Sequence, residues 1–562
     1  MFNPLKVLIF FALISSGINL ITEGLALSSM LFTLVVLILV DLAQDHTFPR
    51  ILILMPLLAA LSNITHDLVL SFSLASIPLL LSAFFGNNAI TLRFIRPYLL
   101  LALPTLIFLF LAVRRGTAGL SIFMNGDGRN HVLLMRNVIL NGFVTNEQQA
   151  NYPSHTYLLP AAIAKSQDAP LSTLTNVLSL GVGYTVAIFL MINLLYRLAR
   201  NIGISNNLQF IVLGICIPSS GILGFVLANG FYTTLWGIAV LLTLQLATMN
   251  FSYHSVLKQL SICVIYSNLL YGTWALLAPI PILIFFMSLM SGRKWVINRY
   301  DLVYVVLGMI YSCYSIFPAF FTSTETNIFE VLRLDGGITP INTPIAILLW
   351  IFVMFAVKNG DLKRNLVAIA ALMILVYSIV GFARLQNNQS FSGYYNQKII
   401  WIGTASVLPI AIGFLLTSIP MKRKNEIAST VLASLVMMGS MSSYQFTQIK
   451  MAIFDWGGPS GLVASKVFET DSSEPKIFWY FQDPGNDRLG TFWASLQGNP
   501  IGDKINFSKI AVWAYGQTGR PEDLCAILAV EPDLKIITLD KTGVRRAIES
   551  CPNSPRLNFI KN

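Results

Sequence analysis

Charged side chains are scarce in this sequence. Only 11% of its 562 residues are charged, whereas soluble domains usually carry roughly a quarter. With 55% hydrophobic residues, the chain has too few polar groups to cover a water-facing surface. Its outer surface must therefore meet lipid, where only helices or closed barrels satisfy the backbone hydrogen bonds. The apolar stretches show no period-two alternation, so they predict helices and not barrel strands.

Several motifs with a definite chemistry are also missing. The sequence has no P-loop, no GxGxxG, no CxxC and no Cys/His spacing typical of a metal site. We therefore expect neither a metal nor a cofactor. The net charge of +11 comes from short Lys and Arg clusters between apolar runs. A nucleic-acid-binding protein would need a basic face with interleaved aromatic residues, so nucleic acid is not an expected partner, whereas the lipid bilayer is.

Length and apolarity predict about fifteen membrane-spanning helices. Their expected positions are 5–23, 25–44, 50–65, 67–86, 96–113, 175–197, 208–227, 231–250, 256–271, 273–291, 301–321, 342–358, 364–383, 399–418 and 428–446. The basic clusters follow even-numbered spans, which by the positive-inside rule predicts a cytoplasmic N-terminus. Arg114 and Arg115, after the fifth span, are the exception.

This topology predicts that every long loop lies outside the membrane. We expect a polytopic all-α membrane domain over residues 1–446, with outer loops at 114–174, 322–341 and 384–398. The cytoplasmic loops are short and leave no room for a nucleotide-binding domain. The chain is thus predicted to be a multi-pass membrane protein with its polar residues grouped on the outer face.

The tail of residues 447–562 predicts a small extracytoplasmic α/β domain. Strands alternate with helical stretches in it, which favours a partly parallel sheet. The predicted strands are 476–482, 509–515 and 534–539. Cys525 and Cys551 lie in this tail, where an outer location permits oxidation. Two alternatives stay open for them, a disulfide or two buried thiols.

The first outer loop contains the strongest candidates for chemistry. It begins with Asn125-Gly-Asp-Gly-Arg-Asn-His131, continues as an apolar helical run to Gly142, and reaches Tyr152-Pro-Ser-His155. Asp127 stands at the start of the helical run, where an N-cap is the simplest explanation. An Asp one turn from a His is also suited to act as a general base, with the His as its partner or as a phosphate contact. His131 and His155 have a simpler alternative, which is interfacial packing.

These residues resemble the first large outer loop of the GT-C glycosyltransferases. The likeness is closest to the polytopic actinobacterial members, which include the cell-wall arabinosyltransferases. The resemblance implies that Asp127 is the general base, which deprotonates an acceptor hydroxyl that attacks a sugar carried on a polyprenyl phosphate. It also implies that Arg129, His131, Tyr152 and His155 bind the substrate or the lipid phosphate. No acidic pair accompanies Asp127, so the resemblance does not extend to a metal-assisted reaction.

A second match lies in the third outer loop. Ser392-Gly-Tyr-Tyr-Asn-Gln-Lys-Ile-Ile-Trp401 resembles the Tyr-Tyr…Lys segment of the same family. The resemblance implies that Lys398 holds the lipid phosphate, with Arg384 at the other end of the loop. Snorkelling to the interface is the alternative for Lys398. Tyr394 and Tyr395 are expected to stack on sugar, or to belong to an interfacial aromatic belt.

The resemblance implies a glycosyltransferase on the outer face of a bacterial plasma membrane, with a polyprenyl-phosphate-linked sugar as donor and a cell-envelope glycan as acceptor. One departure is that about four helices precede the loop, whereas the simplest members place it after the first helix. Two other functions stay open: a transporter or flippase of a lipid-linked glycan, and a non-catalytic assembly protein of the cell envelope. The predicted spans show no obvious repeat and almost no charge, which disfavours the transporter.

Overall fold

A computed structural model gives the structure of most of the chain up to residue 418. It describes residues 4–20, 26–43, 49–86, 95–114, 128–142, 155–168, 170–219, 223, 226–227, 230–249, 251–290, 343–418, 431 and 433–435. In the tail it describes residues 476–478, 525, 528–529, 535–537, 541–549, 551–552 and 558–559.

Helices account for nearly all of the described membrane domain. The first seven are α1 (Pro4–Asn19), α2 (Ala26–Ala43), α3 (Arg50–Thr65), α4 (Leu68–Phe85), α5 (Ile95–Val113), α6 (Gly128–Asn141) and α7 (His155–Lys165). The next eight are α8 (Thr173–Asn201), α9 (Asn207–Ser219), α10 (Tyr232–Thr248), α11 (Val256–Trp274), α12 (Pro279–Leu289), α13 (Thr343–Ala356), α14 (Gly360–Leu385) and α15 (Tyr394–Ser418). Short 3₁₀ turns at Phe251–Tyr253 and Ala275–Leu277 lie on either side of α11.

The apolar runs of the sequence coincide with these helices. Among the described residues, five helical stretches are long and apolar enough to cross a membrane: Leu68–Phe85, Leu174–Asn201, Val256–Leu277, Gly360–Leu385 and Tyr394–Thr417. The other apolar helices are shorter. The predicted span 301–321 and most of 428–446 lie outside the described residues. The described chain therefore has the character of a multi-pass helical membrane protein.

Helix α10 occupies the centre of the bundle. All but one of its residues are buried, and it packs against α8, α11, α14 and α15. The backbones of α9 and α5 approach each other closely at a glycine. A Cβ at Gly214 of α9 would lie 2.1 Å from the carbonyl oxygen of Leu101 in α5. Small residues of this kind let helix backbones approach each other in lipid, where van der Waals contact replaces the hydrophobic effect as the driving force.

Buried polar side chains connect the helices of the bundle. Asn365 of α14 donates to the Thr248 hydroxyl of α10, and the Ser288 hydroxyl of α12 donates to Gln259 of α11 at 2.9 Å. The Gln209 amide of α9 donates to a backbone carbonyl of α15 at 2.9 Å. Because lipid offers no partner to such groups, their hydrogen bonds fix which helices are neighbours.

The bundle also buries charge, which corrects the expectation that the spans are almost free of it. Arg50, at the start of α3, lies 3.4 Å from the carboxylate of Asp41 in α2. Arg197 of α8 donates to the backbone carbonyl of Asp41 at 2.6 Å. All three side chains are buried. Each lies near a helix end that the sequence predicts to be cytoplasmic, and single charges at span ends gave no sign of this contact.

The described part of the tail contains a small parallel sheet. Its strands are β1 (Lys476–Phe478), β2 (Lys535–Ile537) and β3 (Asn558–Phe559). The strand order is β1-β2-β3, with both pairs parallel, and the helix α16 (Lys541–Ile548) lies between β2 and β3 in the chain. The strands β1 and β2 fall within predicted strands, β3 was not predicted, and 509–515 lies outside the described residues. Cys525 and Cys551 form a disulfide, so of the two alternatives the structure shows the disulfide and not two buried thiols.

The disulfide predicts a specific pattern of thiol labelling. In denatured protein prepared without reductant, Cys525 and Cys551 should resist a maleimide, because a bonded sulfur has no thiolate to react. Mass spectrometry of tryptic peptides should show both cysteines labelled only after reduction. Cys525→Ser serves as the control, since it should expose Cys551 to the reagent without any reductant. Labelling of Cys551 in the unreduced native sequence would contradict the bond.

Candidate functional site

Side chains that are far apart in the sequence meet near the predicted outer ends of five helices. His131 comes from α6, His155 from α7 and Lys398 from α15. Residues at the start of α10 and the end of α11 lie between them. The structure therefore brings the two histidines of the first outer loop and the lysine of the third into one region.

Lys398 lies inside a group of aromatic rings. Its Nζ atom is 3.8 Å from the ring centre of Phe231, 5.1 Å from that of Tyr394 and 6.0 Å from that of Trp274. The ammonium also donates to the Tyr394 hydroxyl at 3.1 Å. Only 5% of the residue is exposed. The ammonium therefore points into the protein, held by the negative faces of the rings, and does not extend to the membrane surface.

His131 is buried beside this lysine. Its Nδ1 atom lies 2.5 Å from the hydroxyl oxygen of Tyr157, and 1% of the residue is exposed. Burial, and then the positive charge of Lys398, lower the pKa of His131 to about 3. The imidazole is thus neutral near pH 7, so one of its nitrogens carries a proton and the other is an acceptor.

Tyr232, the first residue of α10, joins His131 and Tyr157 in a closely packed group. Its ring centre lies 6.0 Å from the ring centre of each. The Tyr232 hydroxyl donates to the carbonyl oxygen of Thr156 at 2.9 Å. It fits above Gly183 of α8, where a Cβ would lie 2.2 Å from the hydroxyl oxygen. Contacts from three neighbouring helices, α6, α7 and α8, therefore fix the position of Tyr232.

His155 begins α7 and packs against the backbone of α11. A Cβ at Gly272 would lie 1.6 Å from Nδ1 of His155, so only glycine leaves room for the imidazole. Burial lowers the pKa of His155 to about 4, and this second imidazole is also neutral near pH 7. The contact joins the first outer loop to the C-terminal end of α11, where the Trp274 ring centre lies 6.0 Å from Nζ of Lys398.

Arg384 and Tyr395 have more local surroundings. Arg384 is almost fully buried, and its Nε atom donates to the carbonyl of Ser390 at 2.9 Å. Its guanidinium lies over Gly393, where a Cβ would be 2.3 Å from Cζ. These contacts order the turn between α14 and α15. Tyr395 packs edge-on against Tyr394, with ring centres 4.9 Å apart. A phosphate contact by Arg384 stays a prediction.

Asp127 and Tyr152 lie outside the described residues, as does the side chain of Arg129. The helix α6 begins at Gly128, directly after Asp127, and His131 follows within its first turn. It ends before Gly142, whose φ of 72° is favourable for glycine and whose N–H donates to Val138 at 2.9 Å. Asp127 therefore precedes a helix whose first turn carries His131, close enough to Lys398 for its charge to act on the imidazole, and both its N-cap and its base interpretation stay open.

Four residues of this region were not singled out from the sequence. Tyr157, Phe231 and Tyr232 are aromatic residues in apolar runs, where core packing is the ordinary explanation. Arg136 is a buried cation on α6, and burial lowers its pKa to about 10. One signal was available, because the Asn229-Gly230 pair before a predicted span is typical of a turn. Gly230 indeed has a φ of 67° and directs Phe231 towards Lys398.

The arrangement is suited to binding an anion at the edge of a membrane. A buried ammonium attracts phosphate, and neutral imidazoles and hydroxyls supply hydrogen bonds without adding charge. Among the described residues, no group of three or more His, Cys, Asp or Glu side chains could hold a metal ion. No protein-family model, curated protein or solved structure matches the chain.

The contact between Gly272 and His155 predicts a clear result of mutation. Gly272→Ala should lower the melting temperature in detergent, because overpacking a filled site costs about 1–3 kcal/mol. Gly17→Ala is the matched control, since it adds the same methyl group in a helix with nothing within 4 Å. Adding His155→Ala to Gly272→Ala should recover part of the loss. Simply additive losses in this double-mutant cycle would contradict the contact.

Proposed function

We propose that this protein is a GT-C-like glycosyltransferase, which moves a sugar from a polyprenyl-phosphate donor to a cell-envelope glycan on the outer face of a bacterial plasma membrane. One observation carries the proposal: the ammonium of Lys398 is buried among aromatic rings beside His131. His131 is in the first turn of the helix that follows Asp127. A cation for phosphate and the helix that follows the candidate base in the sequence thus come from different outer loops to one region.

Lys398 acts on the donor. It lies in the first turns of α15, at the end predicted to face outside, where the phosphate of a membrane-bound lipid is found. The positive charge attracts the phosphate and stabilises the negative charge that grows on it as the sugar leaves. Aromatic rings around the ammonium exclude water, which strengthens that electrostatic interaction. Tyr394 and Tyr395 offer ring faces for the sugar.

Asp127 acts on the acceptor. Its carboxylate takes the proton of an acceptor hydroxyl, and the oxygen forms a bond to the anomeric carbon. The bond between that carbon and the phosphate oxygen breaks, and its electron pair leaves with the polyprenyl phosphate. His131 is neutral near pH 7 because of burial and the charge of Lys398, so it adds no second cation. With His155, Arg129 and Tyr152, it contributes hydrogen-bonding groups to the same loop.

The proposed topology has about fifteen spans, a cytoplasmic N-terminus and an extracytoplasmic α/β tail over residues 447–562. The Cys525–Cys551 disulfide supports an outer tail, because such bonds persist in oxidising compartments. The parallel strands β1 to β3 and the helix α16 support an α/β fold. An outer tail of this kind is well placed to bind a polymeric acceptor.

One observation favours the transporter alternative: the Asp41–Arg50 pair is buried within the bundle, and charge inside membrane spans is typical of transport pathways. That pair is at the predicted cytoplasmic end, and its charges are matched with each other. In reconstituted vesicles, a transporter would move a lipid-linked glycan without forming a glycosidic bond. Transfer of sugar to an acceptor therefore separates the two functions.

The deciding experiment replaces Asp127 with Asn and measures sugar transfer from a polyprenyl-phosphate donor in membranes. Loss of a general base should lower transfer by roughly 10²-fold or more, while Asn keeps the capacity to cap α6. Asp67→Asn is the matched control, because Asp67 caps α4 by accepting from the N–H groups of Val69 and Leu70 at 2.9 and 3.2 Å. Normal transfer by a stable Asp127→Asn protein would sink the assignment.

A further inference from the structure

The buried contact between Tyr157 and His131 is closer than packing requires. Nδ1 of His131 and the hydroxyl oxygen of Tyr157 are 2.5 Å apart. Both residues are almost fully buried, at 1% and 2% exposure. Packing of the ring group alone would be satisfied by phenylalanine at position 157. A hydroxyl in a dry site is costly unless it forms a hydrogen bond, so its presence indicates that the bond itself matters.

We propose that Tyr157 is a positioning residue, whose hydroxyl donates to Nδ1 of His131, leaves the imidazole proton on Nε2, and thereby holds the first turn of α6 beside Lys398. The proposal rests on the proposed function, since the group held in place is the helix start that follows Asp127. In this proposal, Tyr157 contacts neither the sugar donor nor the acceptor.

The direction of this hydrogen bond decides the tautomer of His131. Burial and the charge of Lys398 keep the imidazole neutral, and a neutral imidazole carries its proton on one nitrogen and accepts with the other. The Tyr157 hydroxyl has a proton to donate and lies at Nδ1. When Nδ1 accepts from this hydroxyl, the single imidazole proton is on Nε2.

The link from His131 to Lys398 runs through residues 230–232. The ring of His131 packs edge-on against that of Tyr232, with ring centres 6.0 Å apart, and the ring of Phe231, the preceding residue, lies 3.8 Å from Nζ of Lys398. Gly230 has a φ of 67°, which side chains other than glycine rarely adopt. The turn therefore presents one aromatic ring to His131 and another to Lys398. A rotated imidazole would lose the interaction with this turn.

Tyr232 keeps the same turn in place from the other side. Its hydroxyl donates to the carbonyl of Thr156, the residue before Tyr157, at 2.9 Å. Its ring packs on both His131 and Tyr157. Tyr157 is thus connected to the 230–232 turn twice, through His131 and through the backbone of its neighbour. A small change at Tyr157 is for this reason expected to shift α6 relative to Lys398 without unfolding the bundle.

The test removes one oxygen atom from the full-length protein with Tyr157→Phe. We expect kcat for sugar transfer to fall roughly tenfold, because small misplacements of reacting groups are costly, while the KM for the donor stays within about twofold. Tyr98→Phe is the matched control: Tyr98 is a buried tyrosine on α5 that packs against Tyr196, away from this region. It should leave both constants unchanged.

A second measurement reports on the imidazole directly and needs no sugar transfer. ¹⁵N NMR of histidine-labelled protein distinguishes a proton on Nε2 from one on Nδ1. The protein has five histidines, and the signal that disappears in His131→Gln is the one from His131. The native protein should show His131 protonated on Nε2, and Tyr157→Phe should lose this preference.

The outcomes separate the two proposals. A proton on Nδ1 in the native protein, or an unchanged kcat in Tyr157→Phe when Asp127→Asn has abolished transfer, overturns the role of Tyr157 alone. Absence of transfer in the native protein contradicts the proposed function instead. In that case the tautomer signal decides whether Tyr157 orients His131, and a signal unchanged by Tyr157→Phe overturns this as well.

Discussion

Lipid offers no hydrogen bonds to a polypeptide, and this constraint governs the whole described structure. The backbone forms its hydrogen bonds within helices, and several polar side chains inside the bundle find partners on neighbouring helices, as Asn365 does with Thr248. Charged groups have fewer options still. Arg50 pairs with Asp41 near one set of helix ends, and Lys398 lies against aromatic rings near the other. Both of these buried charged groups therefore lie near the ends of the spans.

The region around Lys398 shows how such a site is assembled without water. Phe231, Tyr394 and Trp274 come from three parts of the chain, and their ring faces take the place of solvent around the ammonium. His131 and His155 stay neutral in the same region because burial disfavours their charged forms. A buried cation beside neutral imidazoles and hydroxyls is a suitable environment for a phosphate group.

Apolarity alone predicts most of the helix positions, and α3 covers the residues expected of it. Lys398 and both histidines were also singled out from the sequence, because polar residues stand out among apolar ones. It could not identify Phe231, Tyr157 or Tyr232, since an aromatic residue in an apolar run has the same appearance whether it fills a core or supports a lysine. Contacts between distant segments, such as that of His155 with Gly272, depend on tertiary packing. The local periodicity of apolar residues does not predict them.

Equilibrium binding is the sharpest test of the proposal that Lys398 binds the phosphate of a lipid-linked donor. The full chain in lipid nanodiscs would be titrated with a polyprenyl phosphate that carries no sugar. Lys398→Gln should weaken binding roughly tenfold or more, since a hydrogen bond to a charged group contributes about 1.5–3 kcal/mol. Lys165→Gln, at the end of α7, should bind like the native protein. Equal affinity for the native protein and a folded Lys398→Gln variant would rule out this role for Lys398.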